Sequence, residues 1–339
     1  MFYYLKQFLS YHQHSIVYAQ GNEIARENIV GLYITMSAEN VRCGLYSQAG
    51  TQRDYYYGIH LLVLCITNVT VAMAGISLNG FVLYIFVKSS LLRSKTGFFL
   101  VAVLSAFDLL VVIVVHPLAV VYLYSEIIQS NVVCKYEMFY NMLRYLMCSL
   151  SSYVLLVMST ERLIGVCFPF YYQRSVTKSK ISWCVALTCL IIIGEWLLTI
   201  KVKSTRIIMV IAQLSFLFLA AGIIYTVIYI TARKKRAQNS IFQSRELREQ
   251  RQHLLKNIKL NSLYVLVTLT FIVFLCPTLV TYILEYYSKP ADSHYPIFLI
   301  IRLWARTFVT MNSTFNCCVY FWKNSILRKE AKKIMRKSR

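Results

Sequence analysis

The sequence predicts an all-α membrane protein, a seven-transmembrane helix bundle followed by a short cytoplasmic interfacial helix. Three observations predict it. Of 339 residues, 58% are hydrophobic and only 15% charged, and the mean hydropathy is +0.54. Soluble domains run nearer half apolar and a quarter charged. The apolar residues fall into seven runs, each near the length of about 20 that a helix needs to cross the hydrocarbon core. The 36 Lys and Arg residues outnumber 14 Asp and Glu, and they cluster in alternate connections between those runs.

The spans are expected at Ile59–Val87, Phe98–Tyr124, Tyr136–Cys167, Ile181–Ile200, Ile207–Ala232, Leu260–Tyr287 and Pro296–Trp322. Each must be helical so that its backbone groups pair internally. Cations crowd the connections after spans one, three and five and the C-terminal tail, as in the run Arg233, Lys234, Lys235 and Arg236. The other side pairs Lys6, Arg26, Arg42 and Arg53 with Glu23, Glu27, Glu39 and Asp54. The positive-inside rule then places the N-terminus outside and the C-terminus in the cytoplasm of a multi-pass plasma-membrane protein. After Trp322, Leu327, Ala331 and Ile334 recur at helical spacing among Lys and Arg, which predicts an amphipathic helix on the inner leaflet; a solvated basic tail is the alternative. The chain divides into an N-terminal segment (1–58), a seven-span domain (59–322) and the tail (323–339).

Several classes are disfavoured. The net charge of +22 is bundled at span ends rather than spread on a polar surface, so it needs anionic lipid and no nucleic acid. No metal-ligand spacing, nucleophile motif or Gly-rich phosphate loop points to an enzyme. No internal repeat points to a transporter. Most cysteines, including Cys148, Cys184, Cys189, Cys276, Cys317 and Cys318, lie inside apolar runs and are no disulfide framework. Lys6 and Gln7 interrupt the only early apolar stretch, so a signal peptide is not expected.

Two spans carry polar stripes. Arg144, Cys148, Ser151, Leu155, Met158 and Arg162 step by three and four along span three, as do Arg302, Arg306, Val309, Ser313, Asn316 and Tyr320 along span seven. Such stripes face the bundle, because an ionisable group at mid-membrane costs about 2.5–3.5 kcal/mol on insertion scales.

Read in order, the motifs resemble the rhodopsin-like (class A) G-protein-coupled receptors, as a divergent member. Asn79 in Leu78-Asn79-Gly80-Phe81-Val82 is similar to the family's Asn-x-x-Val. Leu104 to Asp108 is similar to Leu-x-x-x-Asp, and His116-Pro117 follows at the usual kink. Glu161-Arg162-Leu163 to Tyr172 tracks the Asp/Glu-Arg-Tyr run and the loop beyond it. Phe271, Phe274 and Pro277 fall on span six, and Asn312 to Tyr320 on span seven. The resemblance implies an extracellular ligand, a heterotrimeric G-protein partner and arrestin control, here limited because the tail offers only Ser325 and Ser338. It implies a buried polar network of Asp108, Asn79, Ser151, Asn312 and Asn316 holding a sodium ion at Asp108; a neutral Asp108 in a hydrogen-bond network is the alternative, and no other cofactor is expected. It also implies a cytoplasmic switch in which Arg162, resting on Glu161, is released toward Tyr225, Tyr320 and the transducer as span six swings about Pro277. Pro169 and Phe170 would contact the G-protein α subunit. The competing reading of Arg162 is an interfacial residue reaching for water.

The chain departs from the family's pattern. Leu275 stands for the span-six Trp, Cys317 for the span-seven Pro, and span five has no proline. With Asn257 at the start of span six, the usual acidic partner of Arg162 there is missing. Cys134 lies three residues ahead of the usual span-three cysteine, whose place Glu137 takes, and the short connection Lys201–Arg206 has no cysteine. A Cys43–Cys134 disulfide is therefore a hypothesis. In the outer half, Arg144, Arg302, Arg306, Glu195 and His116 form the candidate ligand site. Arginines there favour an anionic small molecule, lipid or peptide terminus, because guanidinium grips carboxylate bidentately; neutralisation of Arg144 by Glu195 is the alternative. A non-signalling decoy or scavenger of the same fold is the second functional reading, and a seven-span transporter the third.

Overall fold

The computed structural model describes residues 55–128, 133–201, 206–239, 269–286 and 295–337. The described chain is helical almost throughout. Helix α1 is Tyr55–Lys88, α2 is Thr96–Ile127, α3 is Val133–Cys167, α4 is Lys178–Lys201 and α5 is Arg206–Asn239. Helix α6 is described over Leu269–Tyr286, α7 is Tyr295–Lys323 and α8 is Ser325–Lys337. Six of these among the described residues, α1 to α6, are long and apolar enough to cross a membrane. Helix α7 falls short on hydropathy, against the expectation of seven apolar runs, because Arg302, Arg306, Thr307, Thr310, Asn312, Ser313, Thr314 and Asn316 are buried along it. Its 29 residues still reach about 44 Å, enough to span. Its polar groups are turned into the bundle, so α7 completes the seven-helix architecture.

Helix α3 is the central rod, packing against α2, α4, α5 and α7, while α1 packs against α2 and α7. Buried apolar residues form two layers. One joins Ile85, Leu100, Leu104, Leu155, Met158, Cys317 and Tyr320. The other joins Leu61, Leu64, Val111, Val115, Tyr122, Tyr140 and Leu303. Outside them, Ile66, Met73, Trp183, Leu190, Leu219, Ile223 and Val273 are all more than half exposed. A belt of that size would aggregate in water; in lipid it is the solvated surface. The chain is a multi-pass membrane protein.

Local chemistry sets two irregularities. Val111–Val115 form a π-helical turn in α2, two residues ahead of Pro117, whose ring lacks an N–H and crowds the carbonyl four residues earlier. Between α7 and α8 the chain turns at Asn324, whose side-chain oxygen accepts from the Ile326 and Leu327 amides at 3.1 Å each, an N-cap for α8. The Arg328 guanidinium donates to the Phe321 carbonyl at 2.6 Å and to that of Trp322, closing the end of α7. Helix α8 buries Leu327 and Ala331 and packs on α7 and α1, so the expected amphipathic helix is present. Ser89, past the end of α1, donates to Glu330 at 2.7 Å.

Gly75 lies where α1 packs closely on α2 and α7. A Cβ there would meet Thr314 Oγ1 at 2.5 Å and Val112 Cγ1 at 2.6 Å. Gly75→Ala is expected to destabilise the bundle by about 1–3 kcal/mol through overpacking, read as a lower melting temperature of the purified protein in detergent. Gly80→Ala, where nothing lies within 4 Å, is the control and should leave it unchanged.

Candidate functional site

Four polar layers are stacked along α3 and α7. At the end of the bundle where α3 begins, Glu137 accepts from Arg302 at 3.3 Å and from Arg306 at 3.1 Å, and Arg302 also faces Glu285 of α6 at 3.3 Å. Arg302 and Arg306 are four residues apart and so share one face of α7. Both therefore already hold a carboxylate, which the sequence reading of three ligand-seeking arginines did not anticipate. Glu137 stands where the resemblance places a cysteine, and it ties α3 to α7 through charge.

Arg144, two turns further along α3 from Glu137, is 3% exposed. Its Nη2 donates to the Tyr282 hydroxyl of α6 at 3.1 Å, and its guanidinium lies over the Tyr140 ring at 6.0 Å. Among the described residues no ion pair joins it to Glu195, so the alternative reading, neutralisation of Arg144 by Glu195, is not what the structure shows. Glu195 is half-buried on α4, one residue before Trp196, whose indole donates to the Met142 carbonyl at 3.0 Å.

His116 belongs to a different layer. It is fully buried, and its Nδ1 lies 2.7 Å from Asn68 Oδ1. Asn68 donates in turn to the Leu64 carbonyl at 2.8 Å and to Thr307 at 3.2 Å. An amide oxygen can only accept, so Nδ1 carries the proton. This places His116 at the α1–α2–α7 junction, apart from the partners of the arginines.

The third layer holds Asp108, fully buried. Ser151 of α3 donates to Oδ1 at 2.6 Å and Asn316 of α7 to Oδ2 at 2.9 Å. Asn79 donates to the Gly75 carbonyl at 3.0 Å and to the Ser313 carbonyl at 3.2 Å, and the Cys317 thiol donates to Asn79 Oδ1 at 2.9 Å. The residue that replaces the family's proline thus closes the network between α1 and α7. Asn312, one turn before Asn316 on α7, is also buried. The amide oxygens of Asn312 and Asn316 are buried without a hydrogen-bond partner, orphaned oxygens of the type that hard cations take. No group of three or more His, Cys, Asp or Glu suited to a metal occurs among the described residues.

At the far end of α3, Arg162 Nε lies 2.8 Å from Glu161 Oε2, with the Glu161 side chain 3% exposed. Tyr172 donates to the other oxygen of Glu161. One turn of α3 back, Ser159 shares a hydrogen bond of 2.9 Å with the Tyr225 hydroxyl of α5. Tyr320 is fully buried nearby in the core of this half. Pro169 opens the short helix Pro169–Ser175 at the position where its missing N–H costs nothing. Phe170 on it is 87% exposed. Pro277 lies within α6, one turn from Phe274, which packs on Phe308 and Phe315 of α7.

Sequence reasoning found the stripes and placed Glu137 in the outer half with the arginines, but did not pair it with Arg302 and Arg306. Tyr282, Glu285 and Asn68 carried no signal for these roles, since those come from neighbouring helices, while Tyr172 was visible only as the end of the motif run that starts at Glu161. The Cys43–Cys134 pairing and Asn257 lie outside the described residues and side chains.

Residues 78–205, from the last third of α1 through α4, match the family described as 7 transmembrane receptor (rhodopsin family). No curated protein matches the chain.

Proposed function

From the premise that this chain is a rhodopsin-like seven-transmembrane receptor, we propose that it converts binding of an extracellular ligand into activation of a heterotrimeric G protein at the plasma membrane. The carrying observation is that α3 and α7 bear exchangeable polar pairs at both ends of one rod. Arg144 with Tyr282, and Glu137 with Arg302 and Arg306, occupy the outer end; Glu161 with Arg162 occupies the cytoplasmic end. The orientation rests on the cationic connections and the basic α8. An anionic ligand at Arg144 would shift the outer end of α3, and a rigid helix conveys the shift. To invert a 1:99 population the ligand must favour the active state by about 5.5 kcal/mol.

In the resting state the carboxylate of Glu161 holds the guanidinium of Arg162, and Tyr172 holds that carboxylate. Release of Arg162 and an outward movement of α6 about Pro277 would expose a basic pocket beside Phe170, the contact for the α subunit; arrestin would use the same opening. Asp108, Asn312 and Asn316 would hold a sodium ion that stabilises the buried carboxylate between α2, α3 and α7. Ser151 ties α3 to α2, and Asn79 ties α1 to α7.

The test is a panel of G-protein activation sensors in cells, run with and without ligand extracts. Arg162→Ala is expected to abolish activation at unchanged surface expression. A non-signalling decoy is the second reading, favoured by Leu275, buried where a Trp is usual, and by Cys317. Silence of the native receptor across all α classes, despite surface expression, would select the decoy.

A further inference from the structure

Three guanidiniums gather in the outer third of the bundle, but among the described residues only two carboxylates meet them. Glu137 and Glu285 take Arg302 and Arg306. Arg144 is left over, and it is among the more deeply buried of the charged residues at 3% exposure. Of its five donors, Nη2 goes to the Tyr282 hydroxyl, and Nε is buried with no acceptor. A buried cation held only by a neutral hydroxyl and an aromatic face is under-compensated, because desolvation of the charge is not offset by an opposite one. The Tyr282 oxygen accepts from Arg144, so its own O–H is free to point elsewhere, and among the described residues it has no acceptor. Tyr282 is only partly buried, unlike Arg144. Two converging donors, one of them charged, with one positive charge to balance and no acceptor, describe a receptor site for one anion.

Resting on the receptor reading above, we infer that the ligand presents a single carboxylate to Arg144 and Tyr282, and that Arg302 and Arg306 are not part of its binding site. A carboxylate matches better than a spherical halide, since its two oxygens meet a guanidinium edge and a hydroxyl at once. A dianion such as a phosphate monoester would bring more negative charge than the site lacks. Glu137 supports this division: together with Glu285 it balances the α7 arginines and so restricts the anion to α3.

The experiment needs no G protein, so its failure and the failure of the signalling reading are separate outcomes. The full-length protein, purified in detergent, is titrated with benzoate and octanoate, with the neutral benzamide and octanamide as matched controls, and with chloride. A ligand that binds only the folded state raises the melting temperature in a saturable way. At least one carboxylate should raise it, and its amide and chloride should not. Arg144→Gln should remove the shift; Tyr282→Phe should move its midpoint several-fold to higher concentration. If Arg144→Gln does not fold, Arg144→Lys keeps the charge without the planar edge and should weaken binding about tenfold. Absence of any carboxylate shift, an equal shift from the amides or chloride, or a shift that survives both Arg144 variants would overturn the assignment.

Discussion

Glu137→Gln is expected to lower stability by about 3–5 kcal/mol, the usual cost of removing one partner from a buried ion pair. The magnitude follows from where the charges sit. Arg302, Arg306 and Glu137 have side-chain exposures of 8%, 10% and 18%, so water cannot screen what is left. Exposed pairs, by contrast, are worth about 0–1 kcal/mol. Gln is nearly isosteric, so the loss reports charge rather than volume. Arg302 retains Glu285, whereas Arg306 loses its carboxylate. Glu285→Gln should therefore cost less, because Arg302 keeps Glu137. The double variant Glu137→Gln/Arg306→Gln should recover part of the loss, with a coupling of about 0.5–3 kcal/mol. Thermal unfolding of the purified protein in detergent measures all of these variants. A melting temperature unchanged by Glu137→Gln, or a double variant no better than the single one, would show that Glu137 does not tie α3 to α7.

Glu161→Gln should raise basal G-protein activation about tenfold. The variant keeps an oxygen for Tyr172 and removes only the charge that holds Arg162 at 2.8 Å. A bias of about 1.4 kcal/mol toward the released state corresponds to that factor, and it lies within the range of ordinary coupling energies. Tyr172→Phe should give a smaller rise, since it loosens the carboxylate without abolishing the pair. Ligand-free signalling from a G-protein sensor, normalised to surface expression, is the readout. Basal activity equal to that of the native protein would mean that the Glu161–Arg162 pair does not restrain the resting state.

The helices were legible because their signal is local. Apolar length places α1 to α5, and the three-and-four spacing of Arg144, Ser151 and Arg162 shows which face of α3 turns inward. Asp108 with Ser151 and Asn316 could be read as a cluster, since each lies at matching depth on its own helix. Partner choice was not legible. Whether Arg144 meets Glu195 or Tyr282 depends on the rotation of α4 and α6 about their own axes, and apolar runs facing lipid on one side leave that rotation open. Lipid-facing and core-facing residues are equally apolar, so α4 gives little indication of which way Glu195 points. His116 illustrates the other source of error: a polar residue in the outer half of a span can serve the contact between helices as readily as a ligand.

The widened turn at Val111–Val115 splits α2 into two segments that keep different phases. One additional residue in a helix advances everything after it by about 100°. Asp108 belongs to the first segment, and His116 and Glu126 to the second. An alignment with other chains that runs through this stretch without a gap would assign lipid-facing positions to the interior on one side of it. Deleting one residue of this turn would restore a uniform pitch and leave the histidine facing Asn68, whereas deleting one between the turn and Asp108 would swing the two segments out of register.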